Sequence, residues 1–204
     1  AGAHDKNVST VEGDGTFGAF YGAMRTLGGF RTTLVVAHCK GSEGNSRIIT
    51  NGMFDPIYHR PLGIDAISSA ALQADAYLRA SGLTEEQCAK VSVKNHGNAR
   101  NNSCAQLAMD LTVEDVMNSR KIADPLKLLD CSPISDGAAA IVIANQTEAD
   151  RAGRRPVWIH GIAHCAEAYF LGDRDLANPV ALKDAARRAY QMAGIGNPTA
   201  EIDV

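Results

Sequence analysis

The sequence predicts a layered α/β fold interrupted by a helical insertion, on three observations. Apolar residues at helical spacing, Phe17, Phe20, Met24 and Leu27, run straight into the β-branched segment Thr32–Ala37. A second apolar run, Ala138–Ala144, arrives only after a long stretch of helix and loop signals. A capped helical pattern, Pro179–Met192, follows it.

Taken in order, Gly28-Gly29 ends the first helix, and Thr32–Ala37 has the composition of a buried strand. Cys39 to Arg60 is rich in Gly, Ser, Asn and Pro, which predicts a long excursion of the kind that often carries function. Ile64, Ile67, Ala71, Ala74 and Leu78 mark an amphipathic helix that stops at Ser81-Gly82. Thr84 with Gln87 is a capping-box pattern that starts another helix, and Thr112 starts a further one before Val113–Met117. Asp136-Gly137 leads into the apolar run, and Val157–Ala163 reads as the next strand. Asn178 caps the following helix, with Pro179 early in it and Gly194 just past its end. Glu201–Val204 reads as the beginning of another strand, so the polypeptide is expected to be a piece of a longer fold.

A chain of 204 residues, 45% apolar and 21% charged, can bury a sizeable core. Its formal net charge of -3 gives no bulk reason to expect nucleic acid, and the basic cluster Arg151–Arg155 reads as a solvated loop. No apolar run approaches the ~20 residues that span a bilayer, and Ala1–Asn7 lacks the pattern of a signal peptide. The expectation is a soluble, cytoplasmic protein without nucleic-acid or membrane partners. The 5 cysteines include no CxxC pair, which predicts reduced thiols. His160 and His164 have ligand spacing for a helix, but they lie in a segment read as a strand with no acidic or thiol set, so no metal is expected.

Three stretches in series resemble the thiolase superfamily, particularly its sterol-carrier-type and archaeal members. The first runs Val91-Ser92-Val93-Lys94-Asn95-His96-Gly97-Asn98-Ala99-Arg100-Asn101-Asn102, then Ala105-Gln106. The second runs from Thr112-Val113-Glu114-Asp115-Val116 through Ile122-Ala123-Asp124-Pro125-Leu126 to Leu129-Asp130-Cys131-Ser132-Pro133. The third is Ser135-Asp136-Gly137-Ala138-Ala139-Ala140. The resemblance implies a thiolase-like α/β/α/β/α core with an inserted helical loop domain, here incomplete at both ends. On that basis residues 1–44 are the end of the N-terminal half, 45–126 the loop domain, 127–177 the return to the N-terminal core, and 178–204 the start of the C-terminal half.

Thiolases use a cysteine at a helix N-terminus to attack a 3-ketoacyl-CoA and carry its acyl group. The equivalent stretch here is Val11-Glu12-Gly13-Asp14-Gly15-Thr16-Phe17-Gly18. Counting back from Gly29 puts Glu12 at the nucleophile slot, whereas matching Val-Glu-Gly to the archaeal pattern puts Gly15 there. Neither is a cysteine, and Cys39 falls at the end of the following strand, beside Lys40-Gly41-Ser42-Glu43. The resemblance therefore points to the branch that lacks the nucleophile, aldolases that cleave 3-hydroxyacyl-CoA, which need a base and a stabilised enolate but no covalent carrier. The alternatives are an acetyl-CoA acyltransferase acting on a 3-ketoacyl-CoA and a non-catalytic acyl-CoA-binding scaffold. The family role would be lipid degradation, and the implied partners are a second copy in a homodimer and a small OB-fold subunit.

Coenzyme A, as the substrate thioester, is the only cofactor implied. Ser132 matches a family position near the pantetheine, and His59, Arg60 and His96 are polar loop-domain side chains able to contact the CoA. Each has a structural reading beside it: His59 and Arg60 as loop caps, His96 with Asn98 as hydrogen-bonding ties of the loop domain, Glu12 as an exposed acid, and Ser132 as a turn residue.

Overall fold

The computed structural model describes residues 3–203. Asp14 begins the first helix, α1 (Gly15–Leu27), by accepting a hydrogen bond from the Phe17 amide, and Gly28 closes it through bonds to Met24 and Thr26 carbonyls. Strand β1 (Thr32–Lys40) follows. The excursion after it contains α2 (Ser46–Asn51), capped by Asn45. Then come α3 (Ala66–Ser81), α4 (Glu85–Ala99) and α5 (Val113–Asn118), each opened by a capping box: Asp65 with Ser68, Thr84 with Gln87, and Thr112 with Asp115. The strands β2 (Lys121–Ala123) and β3 (Leu126–Lys127) pair antiparallel. Strand β4 (Asp136–Ala144), α6 (Gln146–Arg151), α7 (Val180–Ala193) and α8 (Pro198–Glu201) complete the order.

The chain divides into two compact units. One comprises Ala1–Cys39, Asp136–Cys165 and Leu182–Val204; the other comprises Lys40–Ser135 and Ala166–Ala181.

In the first unit β1 pairs with β4, and Asn145 N–H donates to the Arg31 carbonyl (3.0 Å) where the end of β4 meets the start of β1. Helix α1 lies close on this sheet because its contact face is glycine. A Cβ on Gly15 would stand 3.3 Å from Ala37 Cβ, one on Gly18 3.2 Å from Val35, and one on Gly22 2.5 Å from Val35 and 3.2 Å from Ile143. Thr33, Val35 and Ala37 thus face the helix, while Leu34 and Val36 point the other way and remain 64% and 60% exposed. The strand expected at Thr32–Ala37 is present, but its burial is corrected to one covered face, set by the period of two.

Two further expectations are corrected. Val157–Ala163 is not a strand: it finds no ladder partner among the described residues, and Val157 is 96% exposed. β-rich composition makes a strand only where a neighbour supplies the hydrogen bonds. The strand expected at Glu201–Val204 is replaced over its first residue by the end of α8, whose Pro198 suits a helix start; Val204 lies outside the described residues.

In the second unit the buried side chains include Ala71, Ala89, Val116 and Leu171. Lys127, 3% exposed, is ion-paired to Glu85 at the start of α4. No helix among the described residues is long and apolar enough to cross a membrane.

Candidate functional site

The start of α1 is built by its sequence. Asp14 sits in extended backbone (φ -88°, ψ 179°) and its Oδ1 accepts from Phe17 N at 2.8 Å, while its carbonyl accepts from Gly18 N at 3.0 Å. The Gly15 and Thr16 amides have no acceptor among the described residues, so the helix opens on two unengaged N–H groups at its electropositive end. Gly15 is the first helical residue and Glu12 stands exposed in the bend before it. Gly13 has φ 144°, and a Cβ there would meet Phe17 Cδ1 at 2.9 Å, so the approach to the helix requires glycine.

An imidazole that the sequence reading weighed only as a metal ligand lies at the same end of the helix. The His164 ring is 5.0 Å from that of Phe17 and 5.7 Å from that of Phe20. Asp14 carried a signal that the sequence reading passed over, an Asp placed before an apolar periodic run, the pattern of an N-cap. His164 carried no such signal, because its contact spans most of the chain.

The second unit holds the other candidates. His59 is 9% exposed, lies 4.6 Å from Phe170 with the rings at 21°, and is met edge-on by Phe54 (6.2 Å, 89°). Its side chain makes no capping bond, which corrects the expectation that it caps the loop. Arg60 does cap it: Nε donates to the Phe54 carbonyl at 2.7 Å and the guanidinium also reaches the Gly52 carbonyl. His96 is on α4, and its buried Nδ1 has no partner, so it does not tie the loop domain together by a hydrogen bond through that nitrogen. Ser132 is exposed in the irregular segment between Asp130 and β4. Glu12 and Gly15 thus fall in one unit, and His59, Arg60, His96 and Ser132 in the other.

No cysteine stands at the start of α1. Cys39 is exposed at the end of β1. Burial, and then the Asp130 carboxylate, pushes the Cys131 thiol above its ordinary value, so it is a poor nucleophile. A cavity of about 260 Å³ beside α3 is lined by Gln73, Tyr77, Glu167, Arg174 and Asp175 among others, and includes none of the sequence-derived candidates. No group of three or more His, Cys, Asp or Glu side chains able to hold a metal occurs among the described residues.

A glycine-faced helix packed on a sheet, with a helical insertion between paired strands, defines an α/β protein. Two solved structures share this fold. The Ltp2-ChsH2(DUF35) aldolase matches with a TM-score of 0.74 and 23% identity, over 90% of this chain and 50% of that chain. A monomeric SCP2-thiolase-like protein type 1 from Mycobacterium smegmatis matches with a TM-score of 0.69 and 20% identity, over 94% and 42%.

Sequence relatives carry the assignment further. An acetyl-CoA acetyltransferase of Methanothermobacter thermautotrophicus is 46% identical over 132 residues, 64% of this chain and 34% of that protein. A 17-hydroxy-3-oxo-4-pregnene-20-carboxyl-CoA lyase of Mycobacterium tuberculosis is 38% identical over 111 residues, 53% of this chain and 29% of that protein. The homologues are thiolases and sterol-carrier-type thiolase-like proteins, and the assignment of this chain to the thiolase superfamily, sterol-carrier type, fits them. The match to the acetyltransferase spans about a third of that protein's length (34%). No family model matches the chain.

Proposed function

We propose that the chain is part of an acyl-CoA carbon–carbon bond enzyme that cleaves a 3-hydroxyacyl-CoA by a retro-aldol reaction without a cysteine nucleophile. The observation that carries this reading is the start of α1: Gly15, with no side chain, occupies the first helical position, and the N–H groups of Gly15 and Thr16 are unengaged. A base takes the proton from the C3 hydroxyl, the C2–C3 bond breaks to leave a carbonyl at C3, and the electron pair becomes an enolate at C1–C2. Helix-end N–H groups stabilise the enolate oxygen until C2 is protonated to the shortened acyl-CoA. The atoms balance without a co-reactant. Glu12 and His164, at the same end of α1, are the groups we assign as candidates for proton transfer.

On this reading residues 45–126 act as the loop domain, and His59, Arg60, His96 and Ser132 are the candidate contacts to the CoA. The aldolase of similar fold is named as a two-component assembly, and one relative, from Thauera aromatica, is named as a thiolase subunit. We extend this to a small OB-fold partner and a homodimer.

The test is to incubate the complete assembly with a 3-hydroxyacyl-CoA, and separately with a 3-ketoacyl-CoA plus free CoA, and to follow products by mass. Aldehyde or ketone release in the first arm alone supports the aldolase. Thiolysis in the second places the chain with the acetyltransferase, and no turnover in either favours a scaffold.

A further inference from the structure

We infer that Phe170 is a positioning residue that fixes His59 as an outward-facing Nε2–H donor. The inference deepens the reading of His59 as a contact to the CoA and rests on it for the ligand, but not for the state of the imidazole.

The His59 ring is held from two directions. Phe170 stacks on its face (4.6 Å, 21°) and Phe54 meets it edge-on (6.2 Å, 89°), leaving it 9% exposed. Phe170 is itself immobilised: Tyr58 packs against it at 5.9 Å and 79°, and the adjacent Leu171 is buried. The Tyr169 hydroxyl donates to the Met53 carbonyl at 3.0 Å, which ties the residue beside Phe170 to the excursion that carries His59. Gly172 leaves room for the ring, since a Cβ there would stand 2.7 Å from Phe170 Cε1.

Within this cage Nδ1 is buried and has no hydrogen-bond partner, whereas Nε2 is not both buried and unpartnered. A neutral imidazole carries one proton. Placing it on Nδ1 would bury an N–H with no acceptor, a rarer and costlier arrangement than an unmet lone pair. The proton therefore sits on Nε2, and stacking fixes the direction in which that N–H points. Its ligand is a hydrogen-bond acceptor oxygen, such as an amide carbonyl or a phosphate oxygen of a CoA thioester.

The test is a long-range 1H–15N spectrum of the full chain labelled in histidine, at a pH where His59 is neutral, for the wild type and for Phe170→Leu, Phe170→Tyr and Gly172→Ala. The expected result is an Nε2–H pattern for His59 in the wild type and Phe170→Tyr, and averaged nitrogen shifts in Phe170→Leu and Gly172→Ala. Acetyl-CoA binding is expected to weaken about tenfold in Phe170→Leu and to recover in Phe170→Tyr. An Nδ1–H pattern in the wild type overturns the inference, and needs no variant to fold. So does an unchanged Nε2–H pattern in a folded Phe170→Leu. The expected spectra without any acetyl-CoA binding uphold the positioning and sink the CoA reading instead.

Discussion

The Lys127 side chain, 4% exposed, is held at its ammonium by the Glu85 carboxylate across 42 residues of sequence, so the first turn of α4 is fastened to the β2–β3 hairpin by a buried lysine. Asp130 lies 3.9 Å away and the Pro125 carbonyl accepts at 3.3 Å, which leaves the cation with partners of unequal worth.

Glu85→Ala is expected to cost about 2 kcal/mol of stability, read as a lowered urea midpoint. A fully buried pair that loses one partner costs about 3–5 kcal/mol, but Glu85 is 35% exposed and the Pro125 carbonyl remains. Lys127→Met, which removes the cation with its need for a partner, should cost less than Glu85→Ala. The reverse order would show that packing of the lysine stem outweighs the pairing.

Asp65 sets an acid limit on the second unit. Burial pushes its carboxyl up, but hydrogen bonds from the Ser68 amide and hydroxyl, with the Arg47 guanidinium 3.1 Å away, outweigh that and hold it below the ordinary 3.8. A carboxyl depressed in the folded state contributes stability above its unfolded value and loses it as pH falls through the folded one. Melting temperatures should therefore drop as pH is lowered from neutral to below about 4, and Asp65→Asn should show a shallower drop from a lower starting point. A variant with an unchanged acid slope would remove Asp65 from this role.

Glycine substitutions should split by sign. Gly161→Ala would put a Cβ 2.1 Å from the Ala189 carbonyl oxygen, a backbone atom that cannot rotate away, and should cost more than about 2 kcal/mol. Gly97→Ala, inside α4 with nothing within 4 Å of the new methyl, should stabilise by about 0.5–1 kcal/mol through helix propensity. Thermal unfolding of the two variants decides both.

Restoring a thiol should identify the nucleophile slot. Gly15→Cys places a Cβ 3.3 Å from Ala37 Cβ, a contact that needs only a small shift. Its thiol, at the helix N-terminus, should alkylate faster than exposed Cys39 and retain an acyl mass after incubation with acetyl-CoA. Glu12→Cys, in the bend outside the helix, should do neither. Acyl retention by the Glu12 variant instead would move the slot.

The sequence by itself determined the locally encoded parts. Helices α4 and α5 were legible because Thr84 and Thr112 satisfy amides only three residues away, and α1 and α3 because their apolar residues recur at helical spacing. The thiolase resemblance and the missing cysteine were legible for the same reason, as contiguous motifs. Tertiary structure decided whatever depends on a partner far along the chain. It left Val157–Ala163 unpaired, uncovered one face of β1, and brought Phe170 onto His59 and His164 onto Phe17. The absence of a thiol was written in Glu12–Gly15, but only the packing of α1 on Ala37 showed that Gly15 opens the helix with its amides free. Burial and ring stacking are set by neighbours that no local pattern names, and that is where sequence reasoning ran out.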